Sequence, residues 1–197
     1  NAFSSSSRLA TVSGAISEMG VWAFTGDNSL EAIELAEGLT TIPERAFSDC
    51  SSLEEISIPS TVTSIGFFAF GDATKLSRVE FRGNNLTELD MGAFAGTTNL
   101  RSISLPEGLL TIGMSSFMNS GLTSVYIPAS VENIYSSVFD DCGNLETIIV
   151  NENNQKYYDV DNAVLMGLEY YSVVLIRGTK YFVIPDDTAR ISYGAFS

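Results

Sequence analysis

The chain has 197 residues, of which 45% are hydrophobic and 17% charged, a composition that supports a sizeable buried core and argues against disorder. Its 24 acidic and 10 basic residues give a net charge of −14, which makes nucleic acid and anionic membranes unlikely partners. No apolar run in the sequence reaches the roughly 18 residues that a membrane-spanning helix needs.

Residues 1–29 carry an irregular first copy of a pattern that continues regularly over residues 30–150. Six phenylalanines are spaced 23, 23, 24, 23 and 22 residues apart: Phe24, Phe47, Phe70, Phe94, Phe117 and Phe139. Five of them are followed by leucine after six residues and by isoleucine or valine after nine, and Phe117 by Leu122 after five and Val125 after eight. Such a period predicts stacked repeats, because one repeat cannot bury its apolar face without its neighbours.

Within each repeat, the pattern predicts a short strand, a second extended segment and a tight turn. Ile56 and Ile58 flank Ser57, which places the two isoleucines on one side of a strand that ends at Pro59. Residues 62–65 form the second segment. The residue two after most of these phenylalanines is aspartate, glycine or asparagine, types that tolerate tight turns. Strands of successive repeats should pair in parallel at about 4.8 Å, with the phenylalanines on the opposite wall.

Three segments carry a family resemblance: LEEISIPSTVTSIGFFAF, LRSISLPEGLLTIGMSSF and LTSVYIPASVENIYSSVF. They resemble the BspA-like leucine-rich repeat, also called the Treponema pallidum type. The resemblance implies a right-handed leucine-rich repeat solenoid with a parallel sheet on one face and short strands, turns and helical turns elsewhere. Residues 151–184 resemble a hairpin-like insertion frequent in that family, and residues 185–197 a truncated last repeat. We therefore expect a single solenoid domain over residues 1–197.

Catalytic chemistry is disfavoured by the residue inventory. Without histidine, the chain lacks the commonest general base and the partner of serine and cysteine nucleophiles. Cys50 and Cys142 lie four repeats apart, roughly 19 Å, whereas a disulfide needs Cα atoms within about 7 Å. Adjacent carboxylates such as Glu54 and Glu55 point to opposite faces of an extended chain. We predict buried cysteines, no enzyme activity, no metal site and no cofactor.

Apolar outward positions are the candidate binding residues. The outward face of the first strands is small or polar until Tyr126 and Ile149, which approach the tyrosine-rich insertion. Aromatic residues are enriched at interface hot spots. The candidate partner-binding residues are therefore Tyr126, Ile149, Tyr157, Tyr158, Tyr170, Tyr171 and Tyr181. Alternatively, the insertion packs on the solenoid and covers Tyr126 and Ile149 itself. Trp22 and Phe68 either lie exposed or fill the wall.

The resemblance implies a function as well as a fold. BspA-like proteins are associated with surface exposure and adhesion, so we expect a non-catalytic recognition module of a bacterial cell-surface or secreted protein. Its ligand would be a protein or glycan on host or neighbouring cells. A structural spacer within a larger surface protein is the alternative. A carboxylate enzyme would require two acidic side chains that converge in a cleft.

Overall fold

The computed structural model describes residues 10–160, 164–167, 172–176 and 190–191. Successive turns of the chain, here called rungs, form a coil with three walls. In chain order, its strands are β1 (Thr11–Ile16), β2 (Ala32–Leu35), β3 (Thr41–Ile42), β4 (Glu55–Ile58), β5 (Ser64–Ile65), β6 (Arg78–Phe81), β7 (Glu88–Leu89), β8 (Thr111–Ile112), β9 (Ser124–Ile127), β10 (Asn133–Ile134) and β11 (Thr147–Val150).

Two of the walls are parallel sheets. The longer strands pair as β1 with β2, β4 with β6 and β9 with β11. Residues 101–105 repeat the same burial alternation in the fourth rung without ladder pairing. The two-residue strands form a continuous five-stranded sheet in the order β10, β8, β7, β5, β3. In β4, Ile56 and Ile58 are buried and Glu55 is exposed, as the alternation predicts.

The third wall, here called the turn wall, contains the repeated phenylalanines. All six are buried, and their rings stack along the coil with centroids 5.1–5.8 Å apart and nearly parallel planes. This spacing confirms the predicted inward ladder, because each ring lies against the ring of the rung before and the rung after it. The predicted leucine-rich repeat solenoid is therefore the observed fold.

Backbone hydrogen bonds join the turns of neighbouring rungs at every second residue. The N–H groups of Arg45, Phe47 and Asp49 donate to the carbonyls of Phe67, Ala69 and Gly71 at 2.7–2.8 Å. Within each turn, N–H groups also bond carbonyls three residues earlier, so the expected helical turns are overlapping tight turns.

Two residues in each turn have positive φ, one two residues before the phenylalanine and one two residues after it. In the second turn these are Arg45 (φ 49) and Asp49 (φ 60). The later position is aspartate, glycine or asparagine in all six turns, which confirms the turn prediction.

The two cysteines lie in a column of buried residues three positions after the phenylalanines. The Cys50 thiol donates to the carbonyl of Phe24 at 3.1 Å, and the Cys142 thiol donates to the carbonyl of Phe117 at 2.9 Å. Burial, with a smaller contribution from the Asp27 carboxylate, raises the pKa of the Cys50 thiol to about 12. Cys50 is therefore a poor nucleophile, and both cysteines are the small buried residues that the sequence predicts.

The insertion adds a third set of strands. β12 (Tyr157–Val160) pairs antiparallel with β13 (Val164–Gly167), and β13 pairs antiparallel with β14 (Ser172–Ile176). β14 pairs in parallel with β15 (Arg190–Ile191). These pairings match the expected hairpin-like excursion. The predicted single domain and its boundaries after residues 29, 150 and 184 stay predictions, and residues 1–9 lie outside the described ranges.

Candidate functional site

The outward face of the longer strands changes in character along the coil. In its first half, the Arg78 guanidinium lies 3.7 Å from the Glu55 carboxylate and 3.6 Å from that of Glu80. The Arg82 Nε donates to the Ser57 hydroxyl at 2.8 Å. Because these groups are solvent-exposed, their pairing contributes little to stability. It does engage both arginines of this half within the chain, with acidic side chains in excess.

The second half of this face carries two exposed apolar side chains. Tyr126 in β9 and Ile149 in β11 are directly aligned in the parallel register, and 38% and 42% of their surfaces are exposed. The neighbouring outward positions are small and polar: Ser102, Ser104, Ser124 and Thr147. Tyr126 and Ile149 therefore form a small apolar pair within a polar surround.

The beginning of the insertion contacts this pair and the ends of both sheets. The Asn151 side-chain amide donates to the Tyr126 hydroxyl at 2.6 Å. Tyr157 is half-buried against the core, and its hydroxyl accepts the N–H of Ile134 at 2.8 Å. The Asp159 carboxylate accepts the N–H of Val150 at 2.8 Å. These bonds satisfy donors on β10 and β11, which are the last strands of their sheets.

Residues 151–159 form a cap over the last complete rung, and Asn154 holds this cap in place. Its side-chain amide is buried and donates to the carbonyls of Pro128 and Val131 at 2.8 and 3.1 Å. Its side-chain oxygen accepts the N–H groups of Lys156 and Tyr157 at 2.8 Å. Sequence reasoning missed Asn154, although its position, 23 residues after buried Val131, would have placed it in the coil.

The candidate tyrosines are therefore not equivalent. Tyr126 is exposed, whereas Tyr157 takes part in the cap and Tyr158 is half-buried. Tyr170, Tyr171 and Tyr181 lie outside the described residues. As a result, part of the insertion packs on the solenoid beside Tyr126, but it leaves that side chain accessible.

The turn wall presents a second apolar surface. Trp22 is exposed and Phe68 is half-buried, and the Arg45 guanidinium lies between them, 5.5 and 5.2 Å from the ring centroids. Sequence reasoning named both aromatics but missed Arg45. The signal was available, since these three residues are spaced 23 apart and so stack in successive rungs.

In residues with described side chains, no three acidic or thiol groups gather as a metal ion would require. Over the same ranges, no helix has the length and apolarity needed to cross a membrane. The geometry instead offers rigid faces with exposed apolar side chains.

The repeat itself identifies the family. Residues 1–90 and 68–160 match the BspA-type leucine-rich repeat region, with six copies. This chain belongs to the BspA-type leucine-rich repeat family. The fold of this family is typically a non-catalytic scaffold for recognition, which agrees with the surfaces described above.

Three solved structures resemble this BspA-type chain. A leucine-rich repeat protein from Eubacterium ventriosum is 28% identical, with a TM-score of 0.77 over 85% of this chain and 45% of that one. A Treponema pallidum leucine-rich repeat protein is 36% identical, with a TM-score of 0.55 over 58% of this chain and 54% of that one. The pneumococcal vaccine antigen PcpA is 25% identical, with a TM-score of 0.58 over 89% and 39%.

The BspA-type chain thus spans about half the length or less of these three proteins. No curated protein matches it significantly. The repeat and its structural relatives establish the family and the fold.

Proposed function

We propose that this chain is a non-catalytic recognition module of a bacterial cell-surface or secreted protein, and that it binds a protein or glycan on host or neighbouring cells. The aligned Tyr126 and Ile149 are the observation that carries the proposal, because they expose apolar surface on a rigid sheet. Membership of a family of recognition scaffolds supports it, as does similarity to a pneumococcal vaccine antigen.

The surroundings of the pair favour binding. Interface hot spots are commonly aromatic side chains encircled by polar groups that exclude water. The polar surround of Ser102, Ser104, Ser124 and Thr147 supplies such a rim. The hydrogen bond from Asn151 restrains the Tyr126 ring before a ligand arrives, which lowers the entropy cost of ordering it.

A spacer function is the second candidate. The arginines on the first half of the sheet already have partners within the chain, with Arg78 between Glu55 and Glu80. Side chains that are already paired gain less from a partner, as a stalk requires. A spacer would hold another part of the protein away from the cell envelope and would bind nothing through Tyr126 and Ile149.

The test is a binding array of host matrix proteins and glycans at physiological salt. We expect at least one to bind the wild-type chain, and the combined Tyr126→Ser and Ile149→Ser variant to lose about tenfold or more in affinity. Leu110→Ser, which alters an exposed apolar residue away from this face, is the matched control. Thermal unfolding of each variant verifies that the fold is kept.

The outcomes separate the two candidates. Loss of binding in the double variant alone supports recognition through this face. If no ligand in the array binds, the proposal is contradicted and the spacer is favoured. Equal binding by the wild type and the double variant also contradicts the proposal.

A further inference from the structure

An apolar stripe follows the turn wall in five of the six turns, at positions two to four residues before the buried phenylalanines, and Arg45 interrupts it in the second turn. The turn-wall stripe consists of Val21, Trp22, Phe67, Phe68, Met91, Met114 and Tyr135. Five of these side chains are 36–54% exposed, and Phe67 and Phe68 are half-buried. At roughly 4.8 Å per rung, the stripe is about 25 Å long. It lies apart from Tyr126 and Ile149, so the inference below goes beyond the proposed function.

The fold does not require large side chains at these positions. Trp22 and Phe68 occupy a slot with positive φ, 61 and 48 degrees, which bulky residues rarely adopt. The same slot holds Gly92 in the fourth turn and Ser115 in the fifth. Backbone strain of this kind concentrates at functional sites. The aromatic residues are therefore unfavourable for the backbone and need another reason to be present.

The rings of the stripe are held in place before any partner binds. The Arg45 guanidinium lies 5.2–5.5 Å from the ring centroids of Trp22, Phe67 and Phe68. Such cation–π contacts orient all three rings. Phe68 also lies over Gly92, where an added Cβ would come within 2.5 Å of its ring. An ordered apolar surface loses little entropy when it docks a partner.

The charges beside the stripe are mostly negative. Among the described turn residues, the basic side chains are Arg45 and the exposed Lys75, which follows Thr74, and the acidic side chains outside the core are Glu44, Asp49, Asp72, Asp90, Asp140 and Asp141. Asp49 and Asp72 line an open depression of about 660 Å³ with Thr25, Asn28, Ser51 and Thr74. Burial and then the charge of Asp49 raise the pKa of Asp72.

We propose that the turn-wall stripe docks a basic amphipathic segment of a partner protein. The apolar side chains of that segment would cover Trp22, Phe68, Met91 and Met114, and its lysines or arginines would lie near Asp49 and Asp72. Charge complementarity selects this occupant. A second copy of the chain would bring one surface of net charge −14 against another, which like-charge repulsion opposes.

Trp22 allows a direct test, because it is the chain's only tryptophan. The probe is a short peptide of alternating leucine and lysine, titrated into the protein at physiological salt while tryptophan emission is recorded. We expect saturable binding with a shift of the emission to shorter wavelength as the indole is covered. Two companion peptides replace leucine with serine or lysine with glutamate, and we expect both to bind at least about tenfold more weakly.

Variants locate the bound peptide. Combined Met91→Ser and Met114→Ser should weaken binding about tenfold, as should combined Asp49→Asn and Asp72→Asn, whereas Leu110→Ser and the Tyr126→Ser and Ile149→Ser variant should not. The proposal would be overturned if the serine peptide bound as tightly as the leucine–lysine peptide, or if Leu110→Ser weakened binding as much as the stripe variants. Either result would mean that the peptide binds by general charge attraction. If the protein dimerised with rising concentration, and Met91→Ser with Met114→Ser abolished the dimer, the occupant of the stripe would be a second copy of the chain and the proposal would be overturned.

Discussion

Asp27 lies in the buried column that other rungs fill with small residues such as Ala73 and Thr97. One carboxylate oxygen accepts the N–H of Ser29 at 3.2 Å, but the other has no hydrogen-bond partner. Burial raises the pKa of this carboxyl group above its ordinary value of 3.8. The fold therefore disfavours the ionised form of Asp27.

This shift gives a prediction about stability and pH. A folded-state pKa above the unfolded one means that stability is greatest below the unfolded pKa and is lost as pH rises through the folded pKa. We expect Asp27→Thr to raise the free energy of unfolding by about 1 kcal/mol at neutral pH, and by little at pH values below 3.8.

Urea unfolding of wild type and variant across this pH range measures the difference. Asp49→Asn is the control, since it removes the same charge from an exposed position. A stability difference that is independent of pH would contradict the assignment. Threonine suits the column, because the Thr97 hydroxyl donates to the carbonyl of Phe94 at 2.7 Å.

Two glycines that follow buried phenylalanines provide a second residue-scale prediction. Gly121 and Gly143 each follow a buried phenylalanine by four residues. A Cβ on Gly121 would lie 2.1 Å from the carbonyl oxygen of Thr98, whereas a Cβ on Gly143 would meet nothing within 4 Å. We expect Gly121→Ala to destabilise the protein by roughly 1–3 kcal/mol and Gly143→Ala to be neutral. Thermal unfolding distinguishes them, and equal effects would contradict the close approach of the rungs.

At the scale of elements, the last rung does not end abruptly at Val150. The N–H of Asn154 bonds the carbonyl of Asn151 at 2.9 Å, as the N–H of Val131 bonds that of Pro128 one repeat earlier. The first residues of the insertion thus follow the coil before β12 begins. In β12 itself, Tyr157 and Asp159 accept edge N–H groups of both sheets, and so protect edges that would otherwise invite pairing with other chains.

Asn154 tests this cap. Its side chain makes four hydrogen bonds in a buried setting, so Asn154→Ala should lower the free energy of unfolding by about 2 kcal/mol. Neighbouring Asn153 is exposed, and we expect Asn153→Ala to change stability by less than about 0.5 kcal/mol. Chemical denaturation measures both. If the two variants were equally stable, residues 151–159 would be an appendage rather than a cap.

At the scale of the whole molecule, stability depends on contacts between neighbouring rungs. Phe94 is fully buried, and its ring stacks on Phe70 at 5.1 Å and on Phe117 at 5.6 Å. A cavity at this point is shared by three rungs, and in a repeat array each rung is stabilised chiefly by its neighbours. A cavity at Phe94 therefore weakens the coupling between the repeats before it and the repeats after it.

We expect Phe94→Ala to cost roughly 3–5 kcal/mol. Amide hydrogen exchange should accelerate in the turns of Phe70 and Phe117, whereas the exposed Leu110→Ala should cost less than about 1 kcal/mol. An unchanged thermal midpoint for Phe94→Ala would mean that the ladder does not carry the stability of the coil.

The repeat period determined most of the architecture. Residues such as Phe47 and Phe70 lie 23 apart, and a coil with one turn per repeat must bring them together whatever the rest of the sequence does. For the same reason, the sequence predicted buried cysteines, tight turns after the phenylalanines and the outward direction of Tyr126 and Ile149.

Tertiary structure alone decided how the outward side chains are used. Tyr157 and Asp159 look like ordinary insertion residues, yet their side chains accept the edge N–H groups of Ile134 and Val150. Spacing cannot reveal such a role, because it depends on where the chain leaves the coil and on side-chain rotamers. For Arg45, spacing places it between Trp22 and Phe68, but only the packed side chains show its guanidinium within 5.2–5.5 Å of their ring centroids. A period fixes which residues are neighbours, whereas burial, hydrogen bonding and charge at each site require the packed molecule.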